Sequence, residues 1–244
     1  MAPTTRKVDE SGRLITVLVT GFGPFQDRYP VNPSFEIAKS LPQLLPRSAA
    51  DCEAVQVITH GSPIRVAYRE AHKLVPMLLD AHSEAVDLVL HIGMASGRKY
   101  YAAERYGHRD DYSKHKDLDG AIPPNDEVER CFGDCPPMLE TSLNFERVVQ
   151  KWQSMVSLAP DTSPIHDADC RPSDDAGHYL CDYTYFNSLA WYGRRCGRLQ
   201  RGKATDRPVL FLHVPPESDE AALERGRAVA VSLIRAMVDD YVGV

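Results

Sequence analysis

The chain has 244 residues, 43% of them hydrophobic, enough to build a full core without disulfide or metal staples. Its formal net charge of −6 comes from interspersed charges of both signs, with no Lys/Arg cluster dense enough to follow a phosphate backbone, so nucleic acid is not expected as a partner. The opening MAPTTRKVDESGRL lacks the apolar stretch of a secretory signal, and no later run approaches the ~18 apolar residues of a membrane span. No membrane partner is therefore expected, and the expected compartment is the cytoplasm.

Residues 1–12 read as a disordered extension ahead of one α/β domain over 13–244. LITVLVT at 14–20 is a continuous apolar run ending in the turn-prone GFGPF: a buried strand, then a loop. Asn32 followed by Pro33 predicts a helix start, because Asn caps free amides and Pro fits the first helical position; Phe35, Ile37, Ala38 and Leu41 supply its apolar face. AVQVIT at 54–59 predicts a second strand, followed by a helix over 63–80 that carries Val66, Ala67, Leu74 and Leu78 at helical spacing. VDLVLHIG at 86–93 is a third strand. Further on come helices over 143–157 and 176–194, the strand PVLFLHV at 208–214, and a last helix over 219–241. That helix buries Leu223, Ala230, Leu233, Ile234, Met237 and Tyr241. Residues 107–138 and 158–175, rich in charge, Pro, Gly or Asp, lack periodicity and read as long surface loops. Continuous apolar strands alternating with amphipathic helices predict a three-layer α/β/α sandwich with a mostly parallel central sheet.

In such sheets reactive groups gather where strands end, which draws attention to three places. They are the TGFGPF turn, the segment GMASGRKYYAAERYG, and His213 at the end of the last strand. The six cysteines (52, 131, 135, 170, 181 and 196) are too irregular for a disulfide framework and read as reduced thiols. Cys181 falls in the first turns of a helix, after a turn and cap at 173–177, where the dipole and free amides favour a thiolate. A free cysteine is more usually a small core hydrophobe. His213, forced into an extended exit by Val214-Pro215-Pro216, can point into a cleft or serve as a structural histidine. Glu104 beside Arg105 reads, alone, as an ordinary ion pair. Phe22 and Phe25 can line an apolar pocket or fill the core. Gly21 and Gly23 do not make a nucleotide loop, because Pro24 and Phe25 follow and a third glycine is missing. Cys131 and Cys135, with His108 or His115, do not complete a zinc set at the usual spacing.

TGFGPF followed by VNPS, GMASGR followed by ERYGH, DAGHYLCDYTYF and FLHVPP occur in the order found in pyroglutamyl-peptidase I. The chain resembles that family of cysteine peptidases from about residue 14 to 241, and its Cys181 segment is closer to the animal members than to the bacterial ones. The resemblance implies a phosphorylase/hydrolase-like sandwich and removal of N-terminal pyroglutamate (5-oxoproline) from small peptides through a thioester. Cys181 would be the nucleophile, His213 its base and Glu104 the acid that orients the histidine. Phe22 and Phe25 would flank the lactam ring, with Tyr179 and Leu180 completing the pocket; no metal or cofactor is implied. An apolar slot suits a group that has no free amine. Residues 158–175 look longer than the family pattern, and RDDYSKHKDLDG after ERYGH does not align with it. The arginine expected to help bind the oxyanion in bacterial members thus lacks a counterpart, which leaves the Cys181 amide, Lys114 and Lys116 as candidates. Alternatives are a cysteine amidohydrolase or thioesterase on another small acyl group, and an inactive pyroglutamyl-peptide-binding homologue. The oligomeric state stays open, with a monomer favoured.

Overall fold

The structure, a computed structural model, describes residues 14–25, 27–47, 53–123, 125–200 and 202–243. The expected extension at 1–12 and Cys52 lie outside these residues. In chain order the elements begin with β1 (Ile15–Gly21), α1 (Pro33–Ser40), β2 (Leu44–Leu45), β3 (Val55–Thr59), α2 (Tyr68–His82) and β4 (Leu88–Met94). There follow β5 (Tyr101–Glu104), β6 (Tyr106–His108), a 3-10 turn at Tyr112–Lys114, α3 (Asn125–Phe132), β7 (Met138–Glu140) and α4 (Phe145–Ser157). The chain ends through β8 (Cys170–Ser173), α5 (Leu180–Arg195), β9 (Val209–Val214) and α6 (Glu220–Val242).

Seven strands form the central sheet in the order β2-β3-β1-β4-β9-β5-β8. The middle pairings β3–β1, β1–β4 and β4–β9 are parallel, β2 and β5 run antiparallel to their neighbours β3 and β9, and β8 runs parallel to β5. β1, β4 and β9 are buried at every residue, as strands covered on both faces must be. Their side chains alternate between two cores. Ile15, Val17, Val19, Leu88, Leu90, Ile92, Leu210, Leu212 and Val214 pack with α1, α4 and α6. Leu18, Val89, Val209 and Phe211 pack on the opposite face with α2, α3 and α5. The expected three-layer sandwich is the one observed.

Local signals explain most boundaries. Asn32 caps α1 by accepting from the Ser34 amide at 3.1 Å, with Pro33 at its first position. α2 starts five residues later than the apolar spacing predicts. Ile64 bridges Phe22 in parallel, its amide donating to Gly21 O at 2.8 Å and its carbonyl accepting from Gly23 N at 2.9 Å, which holds that stretch extended. Ala67 has no capping side chain, and Asp117 supplies the cap from a distance, its carboxylate accepting from Tyr68 N at 2.9 Å.

The two stretches expected to be surface loops are corrected. Residues 107–138 contain the end of β6, the 3-10 turn, α3 and the start of β7, and Asp117 also accepts from Asp119 N and Ala121 N at 2.9 Å each. Residues 158–175 contain β8, an edge strand whose Cys170 is buried against the α4 side of the sheet. Both were hidden because their strands are three or four residues long, too short to show a period.

Candidate active site

Strand alternation decides which residues of the sheet face α5. On β9, Val209, Phe211 and His213 point that way; on β4, His91 and Gly93 do. β5 lies beside β9 in antiparallel register, Ala102 opposite His213 and Glu104 opposite Phe211. Because Tyr101 and Ala103 enter the other core, Glu104 falls on the α5 face, diagonal to His213. α5 is moored over this face by His91, which bridges Thr20 Oγ1 and Ser188 Oγ at 2.7 Å each. Burial pushes the His91 imidazole down to about 3, so it serves as a neutral strut.

The α5 end facing these residues carries Cys181 as its second helical residue. The preceding turn is set by Asp175, whose carboxylate accepts from Gly177 N at 2.8 Å, and by Gly177 at φ 78°, a backbone conformation that suits glycine. The cap predicted at 173–177 is therefore the turn itself; the N-cap is Tyr179, two residues beyond it and with no capping side-chain bond, and the helix begins at Leu180. The first amides of a helix have no intrahelical acceptor, and here they surround the cysteine.

His213 Nδ1 lies 2.7 Å from Glu104 Oε1. A carboxylate can only accept, so Nδ1 carries the hydrogen and Nε2 is left free on the side of the cleft that His213 shares with Cys181. Burial works against the imidazolium. The charge and hydrogen bond of Cys181, and then the hydrogen bond and charge of Glu104, outweigh it and raise His213 to about 9. Glu104 is fully buried, and its Oε1 also accepts from Arg98 Nη1 at 2.5 Å, while Arg98 Nη2 donates to Asp175 O at 2.8 Å. Arg98 thus ties the acid to the turn that precedes the thiol. Tyr185 on α5 donates to the carbonyls of Glu104 and Arg105 at 3.1 and 3.2 Å, fixing the end of β5.

Cys181 and His213 open on a cleft of about 440 Å³, lined also by Phe25, Tyr179, Met94 and Lys116. Phe25 and Tyr179 pack with ring centroids 6.2 Å apart. The volume is within the range of small-molecule pockets. Of the seven residues singled out in the sequence, Cys181, His213 and Glu104 converge, and Phe25 and Tyr179 form one wall. Phe22 and Leu180 do not line the cleft. The Phe22 amide is held by Ser34 Oγ at 3.0 Å and its ring packs on Phe211, while Leu180 enters the α5-side core. Lys116 reaches the cleft, whereas Lys114 is exposed on the 3-10 turn and is not part of the lining.

Two residues escaped the sequence reading. Arg98 lay inside a quoted motif, but nothing in its spacing ties it to Glu104. Gly93 is the other: a Cβ there would stand 2.8 Å from Cys181 Sγ and 2.6 Å from Phe211 Cζ, so only glycine lets the thiol rest against the sheet. Its signal was a lone glycine within the apolar run LVLHIGM, which marks a close approach.

A thiol at a helix N-terminus, sharing a cleft with an imidazole that is hydrogen-bonded to a buried carboxylate, has the chemistry of a cysteine hydrolase. The chain belongs to the pyroglutamyl peptidase family, whose model matches residues 15–237. Pyroglutamyl-peptidase 1 of Rattus norvegicus is 30% identical over 230 residues, covering 93% of this chain and 90% of that one. Pyrrolidone-carboxylate peptidase of Thermosipho melanesiensis is 26% identical over 219 residues, 89% of this chain and 90% of its own. Among solved structures, the pyrrolidone carboxyl peptidase of Thermococcus litoralis superposes with a TM-score of 0.69 at 20% identity, covering 92% of this chain and 94% of that chain. This last likeness is one of fold.

Proposed function

We propose that this chain is a cysteine exopeptidase that removes N-terminal pyroglutamate from peptides, with Cys181 as nucleophile, His213 as acid and base, and Glu104 as the group that orients the imidazole. The observation that carries the reading is that His213, hydrogen-bonded to the buried Glu104, lines the same cleft as Cys181, beside Phe25 and Tyr179. The Cys181 thiolate adds to the pyroglutamyl carbonyl, and the developing oxyanion faces the unpaired amides at the start of α5. His213 Nε2–H gives its proton to the departing amine as the C–N bond breaks, leaving a thioester. Water then attacks the thioester, His213 takes the water's proton, and the C–S bond breaks to release pyroglutamate and restore the thiolate.

The face of Tyr179 and Phe25 suits a flat, neutral lactam. Phe22 acts from behind as packing for Phe211, and Lys116 and Arg98 are cations in the lining of the cleft. Family membership and the free state of Cys131, Cys135, Cys170, Cys181 and Cys196 suit a reducing compartment, for which we infer the cytoplasm. Among the described residues no helix is long and apolar enough to cross a membrane.

The test is release of a fluorophore from pyroglutamyl and prolyl aryl-amides. Turnover of the pyroglutamyl substrate, abolished by iodoacetamide and by Cys181→Ser with an unchanged thermal melt, is the expected result. Turnover of the prolyl substrate alone would refute the assignment in favour of another amidohydrolase, and tight binding of a pyroglutamyl peptide without turnover would mark an inactive homologue.

A further inference from the structure

Behind the nucleophile, three side chains from three segments converge on a point the proposed reaction does not use. His108 ends β6, His178 lies in the turn before α5, and Asp182 follows Cys181 in the first turn of the helix. One ligand atom from each lies within 4.8 Å of the other two. Asp182 is fully buried and rigidly presented. Its Oδ1 accepts from the His108 amide at 3.0 Å and lies 3.2 Å from His108 Nδ1, and its Oδ2 accepts from Tyr112 O–H at 3.0 Å and lies 3.9 Å from His178 Nδ1. Both histidines are partly exposed, with ring centroids 4.9 Å apart.

We propose that His108, His178 and Asp182 form a site for one divalent first-row transition metal ion of the zinc class, which clamps β6 to the turn leading into α5. His108 Nδ1 rests on Asp182 at 3.2 Å and His178 Nδ1 lies 3.2 Å from the Asp110 carbonyl oxygen, which leaves the second nitrogen of each ring without a partner among these contacts. A metal ion engages both rings in their neutral form. Two nitrogens and one carboxylate oxygen suit zinc or cobalt, whereas calcium and magnesium take oxygen sets. Bonds of about 2.0–2.1 Å place tetrahedral ligand atoms roughly 3.3 Å apart. The contraction required falls on the two partly exposed rings. Hydrogen bonds from Tyr112 and the His108 amide already orient the carboxylate, as the outer contacts of metal sites do. Solvent reaches the cluster past the rings and supplies the remaining ligand.

The experiment is calorimetric titration of the full chain with ZnCl2 and CoCl2 after its accessible thiols have been capped with iodoacetamide, so that cysteine cannot bind the ion. Expected is one ion per chain, a cobalt visible spectrum of tetrahedral intensity and a raised melting temperature. His178→Ala and His108→Ala are each expected to weaken binding at least tenfold and to abolish the metal-dependent rise in melting temperature, while remaining folded by circular dichroism. Failure to see saturable binding below about 100 µM metal would overturn the proposal, as would an affinity in both variants unchanged from the parent. Binding is measured on the capped, inactive protein, so this result is independent of whether the peptidase assignment holds.

Discussion

Placing a single methyl group at Gly93 tests whether the sulfur of Cys181 must rest where the strand leaves room for it. In Gly93→Ala the new Cβ stands 2.8 Å from Sγ and 2.6 Å from Phe211 Cζ, where comfortable contact needs about 3.5–4.0 Å. Both partners must retreat by about 1 Å, because moving one leaves the other contact in place. Phe211 is fully buried and packed against Phe22, Tyr185 and His213 at ring centroids of 6.3, 6.0 and 4.8 Å, so it has little freedom to tilt. The sulfur hangs from one rotatable bond at the edge of a cleft, and it moves first. Displacing a reacting atom by about 1 Å costs on the order of 100-fold in rate, which is about 2.7 kcal/mol of barrier. Overpacking should lower stability by about 1–3 kcal/mol. The assay is kcat/KM on a pyroglutamyl fluorogenic substrate well below the melting temperature, with the alkylation rate of Cys181 followed by peptide mass spectrometry. Gly61→Ala, which meets nothing within 4 Å, serves as the control. A kcat/KM within threefold of the parent in folded Gly93→Ala would refute the placement of the thiol against the sheet.

Three further outcomes are expected. Glu104→Gln removes the anion that helps hold His213 at about 9, so the alkaline limb of kcat/KM should move down by at least one pH unit and the rate fall on the order of 100-fold; an unmoved limb would exclude the carboxylate as the imidazole's partner. The sign for stability follows from the same shift: a histidine raised from 6.5 to about 9 contributes fully below pH 6.5, and that contribution is lost as pH rises through 9, less so in the variant. His91 works in the opposite direction. Held neutral at about 3 against 6.5, it should remove about 2 kcal/mol of stability between pH 8 and pH 5 because the unfolded chain takes up the proton there, and urea titrations of His91→Gln should lack that difference. Asp117→Ala should cost about 1–2 kcal/mol through the lost cap on α2 and raise KM more than it lowers kcat, since the same carboxylate orders the segment carrying Lys116; steady-state kinetics with an unchanged KM would count against this.

How much of this was legible in the sequence depends on the length of each signal. β1, β4 and β9 are apolar runs of six or seven residues, and the Asn32-Pro33 start was plain because cap and first helical residue adjoin. The sandwich follows from these elements alone. β5 and β8 did not announce themselves, since four-residue strands fall below any measurable period. That omission hid the one feature that makes the site: β5 enters the sheet antiparallel beside β9, so that Glu104 and His213 share a face although 109 residues separate them. Motif resemblance could name both residues without supplying that pairing, and it could not separate Phe25, on the wall of the cleft, from Phe22, three residues earlier and turned inward. The difference between those two rings lies in the bridge from Phe22 to Ile64, a contact made across the fold. Nor could local pattern reveal Arg98, whose value lies in spanning Glu104 and Asp175, two positions brought together only when β5, β8 and the turn before α5 assemble. What sequence conveys here is therefore the inventory of reactive groups, and what the sheet adds is the alternation that aims them at a single sulfur.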